Sequence, residues 1–191
     1  MTIMKKTHVF DPKHAAVLET EERKLWENPD QILGLVEIKP NFIAADLGCG
    51  SGFFTIPLAK KVAKVYAIDV QKEMLEILEQ KMRKQKIKNI ELVLSNENEI
   101  PLENGSVELL ITVNTLHEFS DKGKMIKEMQ RVLKPKGKIV IVDFKKEETG
   151  FGPPVAIRVS RVQAVSLFEV QGFKTVKTVG LPFHYALVFS K

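Results

Sequence analysis

The chain has 191 residues, of which 44% are hydrophobic and 28% charged, proportions that exclude a disordered or fibrous protein and fit one domain with a modest extension. One cysteine excludes an internal disulfide and paired-cysteine zinc sites, and the sequence has neither a membrane-length apolar run nor a secretory signal, so we expect a cytoplasmic protein. The net charge of +5 is dispersed, which argues against a nucleic-acid partner.

The first 40 residues are predicted to form a helical cap. Two segments, Asp11-Pro12 and Asn28-Pro29, each place a capping side chain before a proline at the first helical position. The cap also holds three side chains that are candidates to close over a ligand, with an amphipathic covering helix as the alternative: Phe10, His14 and Trp26. We therefore divide the chain into a cap, residues 1–40, and a core, residues 41–191.

Beyond residue 40, short apolar runs alternate with helical patterns. The runs predict strands over 42–47, 62–70, 90–94, 107–113 and 138–144. Apolar residues at helical spacing predict helices over 71–86 and 122–133. This alternation is typical of a parallel sheet covered by helices.

The C-terminal third is punctuated by proline and glycine. Lys134 to Gly137 is predicted to form a turn that ends the second helix. Residues 145–158, which contain paired prolines, predict a loop or lid. A last helix over 160–171 precedes strands over 173–179 and 183–189, whose short connection indicates a hairpin.

The most informative segment is a glycine loop, Asp46-Leu47-Gly48-Cys49-Gly50-Ser51-Gly52, between a strand and a helix start. Alternate glycines let a ligand lie directly on the backbone, and free N–H groups at the helix start favour negative groups. The spacing is G-x-G-x-G, which argues against the G-x-G-x-x-G fingerprint of dinucleotide-binding oxidoreductases.

An acidic residue, Asp69, ends the next predicted strand. A carboxylate at this place is suited to accept both hydroxyls of a ribose. The alternatives are an ordinary tight turn for the glycine loop and a helix cap for Asp69. Both features at successive strand ends favour a site for an adenosine-containing ligand.

The sequence resembles class I S-adenosylmethionine-dependent methyltransferases, in particular the small-molecule type similar to ubiquinone and menaquinone biosynthesis enzymes. The resemblance rests on Ala45 to Gly52, on Asp69 and on Arg131 to Gly137. It implies a Rossmann-like, doubly wound α/β fold: a seven-stranded, mostly parallel sheet with the last strand antiparallel, in three α/β/α layers. It also implies S-adenosyl-L-methionine as cofactor and S-adenosyl-L-homocysteine as product.

The resemblance assigns the cofactor-binding residues one by one. Gly48 to Gly52 would line the methionine part, Asp46 would lie near its ammonium group and Asp69 would hold the ribose. The full set is Asp46, Leu47, Gly48, Cys49, Gly50, Gly52, Asp69, Val70, Asn96, Glu97 and Asn114. Asn96 stands where the family usually has aspartate, so Asn96 and Glu97 both remain candidates for the adenine contact, beside the alternative of a solvated acidic loop.

Methyl transfer from a sulfonium mainly needs alignment of donor and acceptor, and a base only if the acceptor carries a proton. His117, after the central strand, is the candidate base; alternatively it positions a loop or contacts the cofactor. Three further residues either face the pocket or form buried hydrogen bonds: Asp143, His184 and Tyr185. We expect no metal site.

These observations favour an enzyme that methylates a small, hydrophobic metabolite such as a quinone precursor. One alternative is an RNA or protein methyltransferase, motivated by the positive net charge. An alternative of another class is a binding module that keeps S-adenosylmethionine without turnover, motivated by Asn96. The sequence carries no signal for an oligomeric state.

Overall fold

A computed structural model describes residues 20–191 of the chain. The predicted helix start at Asp11 and the side chains of Phe10 and His14 lie outside the described residues. The helices are α1 (Glu21–Trp26), α2 (Pro29–Leu33), α3 (Thr55–Ala59), α4 (Lys72–Gln85), α5 (Lys122–Val132) and α6 (Arg161–Val170). The strands are β1 (Ile43–Leu47), β2 (Lys64–Asp69), β3 (Ile90–Leu94), β4 (Val107–Val113), β5 (Leu133–Phe144), β6 (Lys174–Gly180) and β7 (His184–Ser190). No helix within residues 20–191 is long and apolar enough to cross a membrane.

Polar side chains set where several helices begin. Asn28 caps α2 by accepting from the main-chain N–H groups of its first turn, with Pro29 at the first helical position, as its sequence predicts. Asp121 accepts from the main-chain N–H of Lys124 at 2.9 Å and caps α5. Ser160 opens α6 with a reciprocal capping box.

The seven strands form one sheet in the order β3-β2-β1-β4-β5-β7-β6. Strands β1 to β5 are parallel, whereas β7 is antiparallel to both neighbours, β5 and β6. The predicted fold class is therefore confirmed, and so is the terminal hairpin. The order reverses between β1 and β4, so a crevice opens there at the carboxyl ends of the strands.

Successive side chains of each strand point to opposite faces of the sheet and are buried there. On β1, Ala44 packs with Leu58 of α3 and Leu78 of α4, while Ala45 packs with residues of α5 and α6 such as Met129. Residues of α2 belong to the first of these two cores. The sheet is thus covered on both faces, as expected for three α/β/α layers.

The turn predicted at Lys134 to Gly137 is wrong. Helix α5 ends at Val132, and β5 begins at once, pairing Leu133 with Val107 before the register shifts at a bulge. Lys136 in this stretch has a left-handed backbone, φ 66°. At a bulge some main-chain N–H groups form no hydrogen bond to the neighbouring strand, so Pro135, which has no N–H, is tolerated there. The strand predicted over 138–144 therefore begins five residues earlier, at Leu133, and the ends of the other strands and helices predicted after residue 40 agree with the structure to within two residues.

The connection from β3 to β4, residues 95–106, contains no helix. Arg131 holds it instead, donating at 2.7 Å to the carbonyl oxygens of Ile100 and Leu102. Glu128, one helical turn earlier on α5, accepts from the main-chain N–H of Ile100 at 3.0 Å. Ile100 is fully buried beneath this clamp. The arginine of the Arg131 to Gly137 segment therefore holds the connection between β3 and β4 against α5.

Candidate active site

A cavity of about 600 Å³ occupies the crevice at the carboxyl ends of β1, β2 and β4. All predicted site residues except Gly52 line it, from the glycine loop through Asp69 and Asn96 to His117. Residues that follow four different strands are thus brought to one place. Ser51, which the prediction left out of the cofactor set, lines the cavity as well.

The glycine loop presents its backbone to the cavity. Gly48 and Gly50 have left-handed backbones, with φ 74° and 51°. The N–H groups of Gly48 and Cys49 both donate to the carbonyl oxygen of Ile68, which ties the loop to β2. A Cβ on Gly48 would stand 2.4 Å from the side chain of Thr115. Only glycine therefore fits between the loop and the segment after β4.

Two loop residues serve packing more than ligand contact. A Cβ on Gly52 would meet Leu78 of α4 at 2.4 Å, so this glycine lets the loop approach the helix. Cys49 is buried, and burial raises the pKa of its thiol well above the ordinary value. A thiol that stays protonated is a poor nucleophile.

Asp69 joins the glycine loop to the start of α4. Its Oδ2 accepts from the main-chain N–H of Gly50 at 2.8 Å, and its Oδ1 from that of Gln71 at 2.9 Å. Gln71, not Asp69, is the N-cap of α4. Burial raises the pKa of Asp69, opposed by these main-chain hydrogen bonds. A carboxylate has about four acceptor positions, so Asp69 keeps capacity to accept from a ribose beside these main-chain donors.

Asp46 lies at the other end of the loop and is buried. Its Oδ2 accepts from the hydroxyl of Thr55 at 2.6 Å. Burial raises its pKa to about 7, the hydroxyl of Thr55 opposes this, and the charge of Asp69 adds to it. An ammonium group nearby would favour the ionised carboxylate. The methionine end of S-adenosylmethionine supplies such a group, so the residues present fit that cofactor.

The open end of the cavity carries the candidates for adenine. Val70 lies just after Asp69 and leaves 40% of its surface exposed, an apolar face for a base. The Oδ1 of Asn96 accepts from the main-chain N–H of Asn98 at 2.9 Å, which directs the amide nitrogen of Asn96 away from that turn. Glu97 lines the same end.

His117 forms a close pair with Asp143, which ends β5. Its Nδ1 lies 2.7 Å from Oδ1 of Asp143, and its main-chain N–H donates to Oδ2 at 3.0 Å. The main-chain N–H of Phe144 also donates to this carboxylate, which is fully buried. Because an ionised carboxylate only accepts, Nδ1 carries a proton towards Asp143, and in the neutral ring Nε2 is the acceptor nitrogen. The pair has the arrangement of a general base with its orienting acid.

Aromatic side chains wall the cavity beside His117. Trp26 contacts Phe151 edge-on, with ring centroids 4.8 Å apart, and Phe144 contacts Phe151 at 6.0 Å. Phe53 lines the cavity from the glycine-loop side. These rings come from the cap, from β5, from the loop after β5 and from the residue directly after the glycine loop. Of them the sequence predicted only Trp26, since nothing local distinguishes the others from core residues.

The predicted loop at 145–158 has no helix or strand and is organised around Arg158. This buried guanidinium donates to four main-chain carbonyl oxygens of the loop, at 2.7 to 3.1 Å. It also lies over the ring of Phe144, 5.0 Å from its centroid. The loop is thereby held with Phe151 against the cavity.

A buried carboxylate, Glu27, lies behind Trp26. It accepts from Nε of Arg23 at 2.7 Å and from Nδ2 of Asn114 at 2.8 Å. Nε2 of His184 is 3.1 Å away, although this contact lacks hydrogen-bond geometry. Sequence reasoning missed Glu27 and Arg23, because the partners Glu27 and Asn114 are 87 residues apart.

His184 and Tyr185, the two candidates on β7, do not line the cavity. His184 is fully buried, with Trp26 stacked on its ring at 5.6 Å. Burial lowers its pKa, opposed by the nearby carboxylate of Glu27. The hydroxyl of Tyr185 donates to the carbonyl oxygen of Val159 at 3.0 Å. Tyr185 therefore forms the buried hydrogen bond that was one of the two predicted roles, whereas His184 is buried with no hydrogen bond to either ring nitrogen among the described residues.

The sheet order and the cavity at its crevice are those of the class I S-adenosylmethionine-dependent methyltransferase fold. A family model described as "Methyltransferase domain" matches residues 38–164. The chain therefore belongs to the methyltransferase domain family, which confirms the resemblance and its cofactor.

The solved structures and curated relatives that resemble this chain include further methyltransferases. A SAM-dependent methyltransferase from Aquifex aeolicus superposes with a TM-score of 0.90 at 33% identity, covering 95% of this chain and 99% of that one. A demethylmenaquinone methyltransferase from Bacillus mycoides is 30% identical over 131 residues, 67% of this chain and 54% of that protein. The chain thus spans about half the length of the curated relatives it matches.

The fold alone is shared more widely. The [4+2]-cyclase SpnF superposes with a TM-score of 0.77 at 17% identity, covering 85% of this chain and 79% of that one. Chemistry must therefore be argued from the site rather than from the fold.

Proposed function

We propose that this protein transfers the methyl group of S-adenosylmethionine to a small, hydrophobic acceptor whose reacting group loses a proton. The His117–Asp143 pair at the wall of an aromatic cavity is the observation that carries this proposal. The curated relatives are named for demethylmenaquinone, so a quinone-type ring is the first acceptor class to test.

The cofactor, when bound, supplies an activated methyl group on a sulfonium. The chain's own residues then bind and orient. Asp46 takes the ammonium end, Asp69 the ribose, and Val70 with Asn96 the base. The aromatic wall formed by Trp26, Phe144 and Phe151 excludes water and packs against an apolar acceptor.

His117 removes the acceptor's proton during transfer. As the acceptor takes the methyl group that the cofactor would supply, its proton would pass to Nε2 of His117. Asp143 holds the ring by Nδ1 and stabilises the imidazolium that forms.

The two alternatives have less support. A wall of aromatic rings favours a small apolar acceptor over an RNA or protein segment. A module that only binds the cofactor has no use for an oriented histidine–carboxylate pair at the cavity wall.

The test uses the full chain, methyl-labelled S-adenosylmethionine and a panel of acceptors: hydroxylated quinones, phenols, RNA and a basic protein. We expect label in the quinone or phenol fraction, and loss of that signal in His117→Asn. Label in RNA or protein alone would replace the proposed acceptor class. Tight cofactor binding with no label in any fraction would favour the binding module.

A further inference from the structure

We propose that Lys122, the first residue of α5, is a positioning residue for methyl transfer, because its ammonium group holds the turn that carries His117. This inference rests on the proposed function, since it takes His117 as the base. Lys122 itself does not line the cavity, so it acts on the reaction through another residue.

The segment that carries His117 joins β4 to α5. Its residues, 114–121, form no helix or strand, so contacts with neighbouring elements set the position of the ring. One attachment lies on the β5 side, where Asp143 accepts from both the ring and the main chain of His117. A turn attached on one side can pivot about that point. A second attachment therefore decides whether the ring keeps one orientation.

Lys122 provides the second attachment. Its Nζ donates to the carbonyl oxygen of Phe119 at 2.8 Å and to that of His117 at 3.4 Å. Burial lowers the pKa of Lys122 and the charge of Asp143 opposes this, so the ammonium and the carboxylate are close enough to interact. The turn is thus held by a cation from the α5 side and by an anion from the β5 side.

The place of Lys122 is unfavourable for α5 itself. The N-terminus of a helix is the positive end of its dipole, where acidic side chains are preferred, and the first turn of α5 has none. The side chain is also half-buried, which costs the ammonium group part of its hydration. A residue that opposes its local preferences in this way indicates a role outside the helix, and the hydrogen bonds to the turn supply that role.

The experiment is a double-mutant cycle on the full chain, with methyl-labelled S-adenosylmethionine and the quinone or phenol that accepts the label. We expect Lys122→Met to lower kcat about 10- to 100-fold, because a displaced base loses its alignment with the acceptor. Combined with His117→Asn, the same change should cause no further loss, because its effect passes through the ring. Affinity for S-adenosylhomocysteine should stay within about twofold of wild type.

Two control variants separate positioning from a general effect on α5. Lys122→Arg keeps a cation with several donors, so it should recover most of the rate. Lys124→Met removes a cation from the same first turn, but the side chain of Lys124 is exposed and makes no contact with the turn. Its kcat should match that of wild type.

Proton NMR of the ligand-free chain tests the same role without catalysis. A proton held between Nδ1 of His117 and the buried carboxylate of Asp143 should exchange slowly with water. We expect its resonance in wild type and in Lys124→Met, and its loss in Lys122→Met.

The contrary outcomes are equally specific. Additive losses in the double variant, an unchanged kcat in Lys122→Met, or an Nδ1 proton signal that persists in that variant would each overturn the positioning role. Should Lys122→Met melt too low to measure, Lys122→Gln keeps a donor without the charge, and its partial loss must again be absent beside His117→Asn. An unchanged rate in His117→Asn alone would instead remove the base from the proposed function, while the NMR comparison would still show whether Lys122 holds the ring.

Discussion

The proposed function divides the cavity into a donor side and an acceptor side, which are made from different parts of the chain. The donor side consists of main-chain groups and carboxylates at the ends of β1, β2 and β3. The acceptor side consists of side chains from α1, β5 and the loop at 145–158, with His117 between them. The donor side is formed by motifs that are continuous in sequence, whereas the acceptor side is formed by residues that lie far apart in sequence. Changes to the backbone of the donor side should therefore reduce cofactor binding. Removal of single side chains from the acceptor side should reduce the rate of methyl transfer.

The largest expected effect is on the acceptor side. His117→Asn keeps a donor for Asp143 but removes the acceptor nitrogen, so we expect kcat to fall about 10²- to 10⁴-fold. Steady-state kinetics on the identified acceptor measure it. Affinity for S-adenosylhomocysteine should stay within about twofold of wild type. A parallel loss of that affinity would place His117 on the donor side.

A backbone change on the donor side comes next. In Gly48→Ala the new Cβ would lie 2.4 Å from the side chain of Thr115. The alanine would also have to adopt the left-handed backbone of this position, φ 74°, which is strained for any residue with a Cβ. We expect the free energy of unfolding to fall by about 2–4 kcal/mol, and cofactor binding to be lost. The control is Gly105→Ala, where φ is 59° but no atom lies within 4 Å; it should cost about 1 kcal/mol. Equal costs in urea denaturation would mean that the close approach is not the cause.

Asp69→Ala removes a side chain rather than backbone from the donor side. Ribose hydroxyls would lose their acceptor, and so would the N–H of Gly50. We expect cofactor affinity to weaken by about 1–3 kcal/mol by calorimetry. Unchanged affinity would take Asp69 out of the site.

The smallest effect concerns stability and pH. Burial raises the pKa of Asp46 to about 7, so this group stabilises the ligand-free fold fully below its unfolded pKa and loses that contribution as pH rises through about 7. An asparagine at this position does not ionise, so Asp46→Asn does not lose stability as pH rises. At pH 8 the free energy of unfolding of the variant should exceed that of wild type by about 1–2 kcal/mol.

Chemical denaturation at pH 6 and pH 8 measures this difference, which should shrink at the lower pH. The same variant should bind S-adenosylhomocysteine more weakly. A variant that is less stable than wild type at pH 8 would contradict the assignment of a destabilising buried charge.

The donor side of the cavity could be predicted from the sequence more fully than the acceptor side. Gly48, Gly50 and Asp69 could be assigned because strand ends in a parallel sheet converge and the motif is continuous. Glu27 could not, because its burial depends on Asn114, 87 residues away. Phe144 ends a predicted strand and Phe151 lies in the predicted loop, and no local pattern indicates that they line the cavity, as the fold shows.

The error at Lys134 to Gly137 has a related cause. Proline and glycine end regular structure in isolated segments, and local pattern cannot show a neighbouring strand that tolerates a bulge. Pairing of Leu133 with Val107 supplies that neighbour.

The way Arg158 holds the loop after β5 bears on how this enzyme scaffold diversifies. All four of its hydrogen bonds go to main-chain oxygens, those of residues 145, 147, 151 and 153. Every amino acid carries such an oxygen, so the exposed side chains between these anchor points, such as Lys146 and Glu148, take no part in the anchoring. Gly152 does not share this freedom, because its φ is 87° and a Cβ there would lie 2.5 Å from Phe144. One arginine and one glycine therefore set the course of the loop beside the cavity.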